Sequence, residues 1–405
     1  MAVTLADVAA RAGVSSATVS RVLSGDYPVA GATRSRVLRA VAELEYVVDG
    51  PASALAAASS DLLGILVNDI ADPFFGIIAG AVQGELDSGA DAPVPRKLAV
   101  VCNTGGSPER ELSYLTLLQR QRAAAIVLTG GAVEDPAHRT SLAARLRRLA
   151  AGGTRIVLCG RPPLDPSEPT ADAAAIPEPA AEAAAIRGPG REAAAIPGPD
   201  GQPPTAARGR GARRAARGAV LTVAFDNRDG AHALTAHLLA LGHRHIGYVA
   251  GPSERTTTRH RLAGHRAALA AHGAAGPDRA ERLTVHAGGY DRSCGYRGAV
   301  ELLCRAPETT AVLAANDTVA LGVCAALRDA GLRVPQDVSV AGFDDLPFSA
   351  DAAPGLTTVR LPLQEAGARA GQLALGTRPA PPGGTTTMPH ALVVRASTAP
   401  PRAGA

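Results

Sequence analysis

Two polar residues directly follow short apolar segments that have the length and composition of buried strands. Asn316 follows residues 311–314, and Asp344 follows residues 338–341. In open α/β sheets, ligands bind outside the carboxyl ends of the strands, so both side chains are placed where a ligand would lie. A carboxylate and an amide there can accept hydrogen bonds from vicinal hydroxyl groups and donate to them. The sequence therefore predicts a binding cleft for a small hydroxylated molecule.

Three further residues suit the same cleft. Arg261 offers a fork of N–H donors to hydroxyl or carboxylate oxygens, and Phe74 and Tyr290 can stack on the apolar face of a sugar. In the alternative, structural interpretation, Asp344 and Asp345 cap a turn and Arg261 pairs with a surface acid. That alternative can hold for one residue alone, but it is weak for all of them together.

The elements that would position these residues alternate between strands and helices. Eight apolar segments are predicted to be buried strands: 62–67, 97–102, 124–128, 155–159, 221–225, 245–250, 311–314 and 338–341. Amphipathic segments separate most of them, such as 74–86, 109–121, 230–241 and 318–330. This alternation predicts parallel sheets covered by helices. Because eight strands exceed one compact unit, two similar α/β subdomains are expected.

Residues 161–217 interrupt the alternation. An acidic residue followed by Ala-Ala-Ala-Ile recurs every ten residues from Asp172, with a proline soon after each copy, and an arginine-rich stretch ends the segment. One isoleucine per repeat cannot bury enough surface to offset the ordering entropy. We predict a disordered low-complexity insertion. Contact of its arginines with DNA or a partner is the weaker alternative.

The amino-terminal segment has the pattern of a helix-turn-helix with a supporting helix. Thr4 is expected to cap the first helix, and Gly13 supplies the left-handed conformation of a tight turn. Ser15 or Ser16 is expected to cap the second helix, and Thr33 the third. The residues expected to face the core are Leu5, Val8, Ala9, Ala12, Val14, Val19, Val22, Leu23, Val37, Leu38, Val41 and Leu44.

The exposed face of the second helix is predicted to contact DNA. It carries Ser16, Ala17, Thr18, Ser20 and Arg21. Short side chains allow the backbone to approach base edges, and arginine can chelate a guanine. Thr18, Ser20 and Ser24 suit phosphate oxygens. Since residues 1–50 contain five arginines and five acids, the alternative is a small helical bundle with no nucleic-acid role.

The segment from Thr4 to Leu23 resembles the signature of the LacI (lactose-repressor-like) family almost position by position, and the similarity continues from Thr33 to Tyr46. The resemblance implies that Ser16, Ala17 and Arg21 contact bases in the major groove. It also implies a hinge helix in residues 49–60, whose Leu55 inserts into the minor groove; alternatively, Leu55 only packs in that helix. The residues assigned to DNA contact are Thr4, Ser15, Ser16, Ala17, Thr18, Ser20, Arg21, Ser24, Thr33 and Leu55.

The rest of the chain outside the insertion is similar to the sensor of the same family. The motifs are Asp72–Phe75, Asp226-Asn227, Arg261–Gly264, Asn316-Asp317 and Gly342–Asp345. The implied fold is an all-α helix-turn-helix head plus an α/β periplasmic-binding-protein-like sensor of two Rossmann-like lobes. By family position, Arg255 and Thr257 join Phe74, Arg261, Tyr290, Asn316 and Asp344 as effector contacts.

The resemblance implies a transcriptional regulator, usually a repressor, that acts as a homodimer or a tetramer on double-stranded operator DNA. Its small-molecule effector would be a sugar or sugar derivative, with a purine or another metabolite as the second choice. Movement of the lobes would order or melt the hinge. The alternative from a different class is a solute- or sugar-binding protein without a DNA role, or an enzyme with its active site in the cleft.

Composition favours the regulator. No signal-peptide-like segment follows Met1 and no apolar run reaches about 18 residues, so we expect a cytoplasmic protein without membrane contact. The five cysteines form no CxxC pair and are expected to be buried free thiols. His243 and His245 lack a third metal ligand, and Walker, GxGxxG and GxSxG motifs are absent. We therefore predict no enzyme, cofactor or metal.

The predicted domains are 1–48 (head), 49–60 (hinge), 61–160 with 218–400 (sensor) and 161–217 (insertion).

Overall fold

The computed structural model describes residues 3–24, 28–44, 46, 60–87, 97–164, 219–274 and 276–402. The chain divides into two compact units, Met1–Asp61 and Leu62–Ala405, here called the head and the sensor. The hinge residues 49–59, with Leu55, and residues 165–217 of the predicted insertion lie outside the described residues. No helix within the described ranges is long and apolar enough to span a membrane.

The head contains three helices: α1 (Leu5–Ala12), α2 (Ser16–Ser24) and α3 (Gly31–Glu43). Thr4 caps α1 as predicted, because its amide donates to Asp7 Oδ2 at 2.8 Å while the Asp7 amide donates to Thr4 Oγ1 at 3.4 Å. Gly13 ends α1 with φ 63°, the left-handed conformation that the turn requires. Ser15 caps α2, since its Oγ accepts the Thr18 amide at 3.2 Å. The predicted helix-turn-helix is present.

Two details of the predicted head are wrong, and both concern α3. Thr33 does not cap the helix: α3 begins at Gly31, and the carbonyl of Ala30 accepts the Thr33 amide at 2.9 Å. Leu38 does not close the core, because its side chain is 48% exposed. Successive helical residues are turned by about 100°, so the register that buries Val37 and Ala40 carries Leu38 away from the core.

The sensor contains two parallel sheets, which confirms the predicted pair of α/β lobes. The first sheet has the order β11-β5-β4-β3-β1-β2, and the second has the order β7-β6-β8-β9. The strands are β1 (Leu62–Val67), β2 (Leu98–Asn103), β3 (Ala125–Thr129), β4 (Arg155–Cys159), β5 (Val220–Phe225), β6 (Ile246–Ala250), β7 (Thr284–His286), β8 (Ala311–Ala314), β9 (Ser339–Ala341), β10 (Thr358–Arg360), β11 (Thr385–Met388) and β12 (Ala391–Val393). Strands β10 and β12 form a separate antiparallel pair.

Helices cover both sheets. Those of the first lobe are α4 (Pro73–Asp87), α5 (Pro108–Arg120), α6 (Pro136–Ala151) and α13 (Leu363–Leu375), and those of the second are α7 (Asn227–Ala240), α8 (Thr256–Ala271), α9 (Pro277–Arg282), α10 (Arg292–Arg305), α11 (Asp317–Asp329) and α12 (Phe348–Asp351). Helices α7 and α8 touch backbone to backbone, because a Cβ on Gly264 would lie 2.0 Å from the Arg228 carbonyl oxygen. Gly322 similarly lets α11 approach Arg292 in α10. Close helix packing therefore accounts for both glycines, of which Gly264 belongs to the Arg261–Gly264 motif.

Three expectations about the sensor need correction. The predicted strand 97–102 is not buried: Leu98 is 65% exposed because β2 is the edge strand of the first sheet and pairs only with β1. The insertion does not begin at residue 161, since Arg161 is 4% exposed and its Nη2 lies 2.5 Å from Glu111 Oε1. All five cysteines are free, but Cys304 is exposed on α10 and Cys324 is only partly buried.

Candidate effector cleft and DNA-contact face

The seven residues predicted to contact an effector all line one cleft between the two lobes. Its volume is about 670 Å³, within the range of about 300–1,000 Å³ that is usual for ligand sites. The seven are Phe74, Arg255, Thr257, Arg261, Tyr290, Asn316 and Asp344. They come from loops and from the first turns of helices that follow the carboxyl ends of strands in both sheets, as the strand-end argument expects.

Arg261 is held by three hydrogen bonds within the protein. Its Nε donates to Asn227 Oδ1 at 2.8 Å, its Nη1 to the Ala315 carbonyl at 2.6 Å and its Nη2 to Asp344 Oδ1 at 2.7 Å. The guanidinium carbon also lies 3.7 Å from the centroid of the Phe343 ring. Arg261 thus pairs with a buried acid rather than the surface acid of the structural alternative. The plane of the Arg261 guanidinium is therefore fixed even when no ligand is bound.

Asp344 occupies a backbone conformation that is rare for a non-glycine residue, with φ 106°. Its amide donates to the Val359 carbonyl at 2.8 Å, and its side chain is buried. Burial raises the pKa of Asp344 above its ordinary value, the nearby carboxylates of Asp317 and Asp72 act in the same direction, and Arg261 opposes the shift. The hydrogen bond from Arg261 Nη2 to Asp344 Oδ1 holds this side chain at the cleft wall.

Of the two neighbouring residues Asn316 and Asp317, which follow β8, the first lines the cleft and the second stabilises the fold. Asn316 caps α11, because its Oδ1 accepts the Val319 amide at 2.8 Å, so the amide NH₂ group is what it can offer a ligand. Asp317 is buried and accepts from the Leu346 amide at 2.7 Å and from Thr358 Oγ1 at 2.6 Å. Asp317 therefore anchors the segment that follows Asp344.

The apolar part of the cleft is aromatic. Phe74 packs edge to face on Phe75 and Phe225, with ring centroids 5.1 and 6.2 Å apart. Tyr290 shares a hydrogen bond with Thr258, the two oxygens lying 2.7 Å apart. Phe75 belongs to the Asp72–Phe75 motif, from which Phe74 was predicted to contact a ligand. Phe225 could be assigned to the cleft only by knowing that β5 ends there.

Backbone and side-chain hydrogen bonds join the two lobes beside the cleft. The Ala132 amide donates to Thr256 Oγ1 at 2.9 Å, and the Thr256 amide donates to the Ala132 carbonyl at 3.0 Å. Arg255 Nη2 donates to the Gly106 carbonyl at 2.6 Å. Residues 130–134 and 254–259, which we call the cross-lobe bridge, also contain an ion pair between Arg259 and Glu134. Arg255 thus joins the lobes as well as lining the cleft.

Sequence reasoning missed several polar groups of the cleft: Asn68, Asp69, Asp72, Asn227, Glu254, Asp291 and Thr318. Asp72 and Asp291 accept the amides of Phe74 and Cys294 at 3.0 and 2.9 Å. An acid placed just before a helix that follows a strand was the available signal for both. Asn227 belongs to the Asp226-Asn227 motif, but its hydrogen bond with Arg261, which is distant in sequence, is visible only in the structure.

Behind the first-lobe wall lies a buried ionic group. Glu111 accepts from Arg161 and shares a hydrogen bond with His138, whose Nε2 is 3.0 Å from Glu111 Oε2. Burial alone would raise the pKa of Glu111, but the Arg161 guanidinium and the hydrogen bonds lower it to about 2. The carboxylate is therefore ionised and neutralises Arg161.

Metal ligands are sparse in the described part of the sensor. His243 shares its Nδ1 with Thr310 at 2.9 Å and its Nε2 with the Ala399 carbonyl at 2.8 Å, so both ring nitrogens are engaged. Asp226, Asp229 and His390 lie close enough together to hold an ion. Asp226, however, already caps α7 by accepting the Asp229 amide at 3.0 Å.

Five of the ten predicted DNA contacts lie on the face of α2 that is turned away from the core. Ser16, Ala17, Ser20 and Arg21 are exposed and Thr18 is partly buried. Ser15 and Thr18 are joined by their hydroxyl oxygens, 2.9 Å apart. Thr4 is exposed before α1, and Thr33 is partly exposed in the first turn of α3. The Ser24 side chain and Leu55 lie outside the described residues.

A helix-turn-helix head attached to a two-lobed sensor with a ligand cleft defines a DNA-binding regulator of the periplasmic-binding-protein-like type. Residues 4–49 match the family of bacterial regulatory proteins described as the lacI family, and residues 235–398 match the periplasmic binding protein-like domain. The regulator GalS of Salmonella typhimurium is 32% identical over 376 residues, which span 92% of this chain and 89% of GalS. The chain belongs to the LacI family of transcriptional regulators, and it is not an enzyme.

Two solved structures extend the similarity. The lac repressor dimer bound to operator and the anti-inducer ONPF has a TM-score of 0.69 at 25% identity, over 98% of this chain and all 100% of that one. The complex of the regulator CelR with cellobiose has a TM-score of 0.59 at 27% identity, over 98% of this chain and 99% of that one. The alternative of a binding protein without a DNA role is thereby set aside.

Proposed function

We propose that this regulator senses a sugar in the cleft and binds operator DNA as a homodimer through α2. The observation that supports a sugar ligand is that the fixed pair of Arg261 and Asp344 lines the same cleft as Asn316 and Phe74. Such a group offers donors and an acceptor to hydroxyls, and an aromatic face to the C–H side of the ring. Related proteins have been solved with cellobiose and with ONPF, which supports the same ligand class.

On the DNA side, Ser16, Ala17 and Arg21 contact bases in the major groove. Thr4, Ser15, Thr18, Ser20, Ser24 and Thr33 contact the backbone, which positions α2 without reading sequence. Leu55 inserts into the minor groove from a hinge in residues 49–60. In this proposal the DNA-binding domain is 1–48, and the effector-binding domain is 61–160, extended to the buried Arg161, with 218–400. The protein works in the cytoplasm, most simply as a repressor.

A gel shift with genomic fragments tests the DNA role. We expect a sequence-selective shift with the wild-type protein and at least about a fivefold loss of affinity in Arg21→Ala, because a bidentate arginine–guanine contact contributes about 1–3 kcal/mol. Arg328→Ala, on the exposed surface of α11, is the matched control and should bind as the wild type does. An Arg21→Ala protein that binds its fragment normally would contradict the major-groove assignment.

A thermal-shift screen with the same protein tests the sugar. A ligand at 100 times its dissociation constant adds about 2.7 kcal/mol to the folded state. A sugar that stabilises the protein should also change the gel shift of the bound fragment. Stabilisation without any effect on DNA binding would mean that the cleft binds sugars without regulating the head.

A further inference from the structure

Unpaired negative charges predominate around the cleft. Apart from Asp344, which pairs with Arg261, four carboxylates line it: Asp69, Asp72, Glu254 and Asp291. Asp69, Glu254 and Asp291 are exposed at the opening, and Asp72 is partly buried. Within the described part of the chain, none of the four forms an ion pair, so their negative charge faces an entering ligand.

The guanidinium groups near the cleft are already engaged. Arg261 is neutralised by Asp344, with Nη2 and Oδ1 2.7 Å apart, and Arg161 by Glu111. Arg255 donates to two backbone carbonyls, of Gly106 and Gly131. Although Nε and Nη1 of Arg161 have no hydrogen-bond partner among the described residues, the space beside them is too small for a water molecule. Among the described residues that line the cleft, Arg255 is therefore the one guanidinium without a carboxylate partner, so a phosphate would meet four unpaired carboxylates and a single unpaired cation.

Hydroxyl groups, in contrast, find both kinds of partner. Asn316 offers its NH₂ group, and Asp72 and Asp291 keep acceptor oxygens beyond the helix amides that they bind. The hydroxyl oxygen of Thr318 lines the cleft and is buried without a hydrogen-bond partner among the described residues. A buried hydroxyl without a partner costs free energy until a ligand group satisfies it.

Given the proposed sugar-sensing function, we propose that the effector is an uncharged saccharide and that the cleft rejects anionic sugars such as sugar phosphates and uronic acids. Like charges placed close together disfavour the wrong ligand, which is how a site can discriminate without extra contacts to the right one. The same negative potential at the opening slows the approach of an anion from a distance.

Calorimetry on the full chain tests the proposal with matched probes. Glucose, galactose, cellobiose and maltose are compared with glucose 6-phosphate, galactose 6-phosphate, glucuronate and galacturonate. We expect at least one uncharged sugar to bind, and its anionic counterpart to bind at least tenfold more weakly. An anionic sugar that binds as tightly as its uncharged counterpart, or more tightly, would overturn this inference and leave the sugar-sensing function standing. No binding by any probe would remove both.

Removing the charge shows whether the rejection is electrostatic. The double variant Asp69→Asn and Glu254→Gln keeps the shapes of the side chains, and an asparagine oxygen can still accept the Ala71 amide that Asp69 Oδ1 accepts at 3.0 Å. We expect the ratio between uncharged and anionic ligand affinities to fall several-fold in this variant. Glu301→Gln, on the exposed side of α10, is the control and should leave the ratio unchanged. An unchanged ratio in the double variant as well would overturn the electrostatic cause.

Discussion

The two walls of the cleft are built from different chemistry. The second-lobe wall presents hydrogen-bonding groups, and Arg261 and Asp344 there are fixed by each other. The first-lobe wall presents the Phe74, Phe75 and Phe225 rings together with glycines, and its polar groups are Asn68, Asp69 and Asp72 in the segment after β1. We infer that the fixed groups of the second lobe orient the hydroxyl groups of a ligand, and that the aromatic surface of the first lobe is where the ligand ring lies.

The glycines of the first-lobe wall have a steric cause. A Cβ on Gly130, which has φ 76°, would lie 2.7 Å from the Phe75 ring, and one on Gly131 would lie 2.3 Å from Thr257 Oγ1. Side chains at these positions would separate the lobes or displace the aromatic ring. The first-lobe wall therefore depends on close approach, and the second-lobe wall depends on its hydrogen-bond network.

The largest effect is expected from breaking the second-lobe wall. Arg261→Met keeps the length of the side chain but leaves Asp344 buried without its cation, which costs about 3–5 kcal/mol of unfolding free energy. Arg259→Met is the matched control on the same helix. Its guanidinium pairs with Glu134 and is 60% exposed, so it should cost at most about 1 kcal/mol.

Urea unfolding of the two variants makes this comparison. Equal losses of unfolding free energy would contradict the buried role of Arg261. Adding Asp344→Asn to Arg261→Met should recover part of the loss, because the uncompensated charge is then removed. A double variant no more stable than Arg261→Met would show that the lost packing on Phe343, and not the charge, dominates.

A smaller effect, mainly on ligand affinity, is expected from the first-lobe wall. Phe74→Leu keeps an apolar side chain of similar volume, so unfolding free energy should fall by less than about 1.5 kcal/mol. Loss of the aromatic face should weaken sugar binding by up to about tenfold, since aromatic contacts contribute about 0.5–1.5 kcal/mol beyond burial. Leu117→Ala, at a 50% exposed position on α5, serves as the control for calorimetry. If Phe74→Leu bound the sugar as well as the wild type, the ligand ring would not lie on this wall.

Sequence patterns predicted the local features of the molecule far better than those that depend on distant partners. Apolar segments placed the buried strands, and Thr4, Gly13 and Ser15 fixed the ends of the head helices. The strands β7, β10 and β12 have only three residues each, too few for a pattern to emerge. Arg161 was assigned to an insertion because its partner Glu111 lies fifty positions away.

The cleft shows the same limit. Its seven predicted residues came from strand ends and from family positions, and they do line one cavity. The pairing of Arg261 with Asp344 joins residues 83 positions apart, and no local pattern shows it. Phe225 ends β5 and Asn227 follows it, and the insertion separates this strand from its neighbour β4. The place of both residues beside the cleft therefore became visible only when the sheet order was known.

The smallest effect is expected where the two walls meet, at the cross-lobe bridge. Thr256→Val removes the hydroxyl that accepts the Ala132 amide at 2.9 Å but keeps the shape of a residue that is 4% exposed. Loss of one such hydrogen bond costs about 1 kcal/mol, so closure of the lobes on a sugar should weaken and the dissociation constant should rise about fivefold. Thr116→Val is the matched control, because its hydroxyl donates to the Leu112 carbonyl inside α5, at 2.9 Å. If both valine variants bound the sugar with the affinity of the wild type, the bridge would not contribute to ligand binding, and the two walls would act without being held together there.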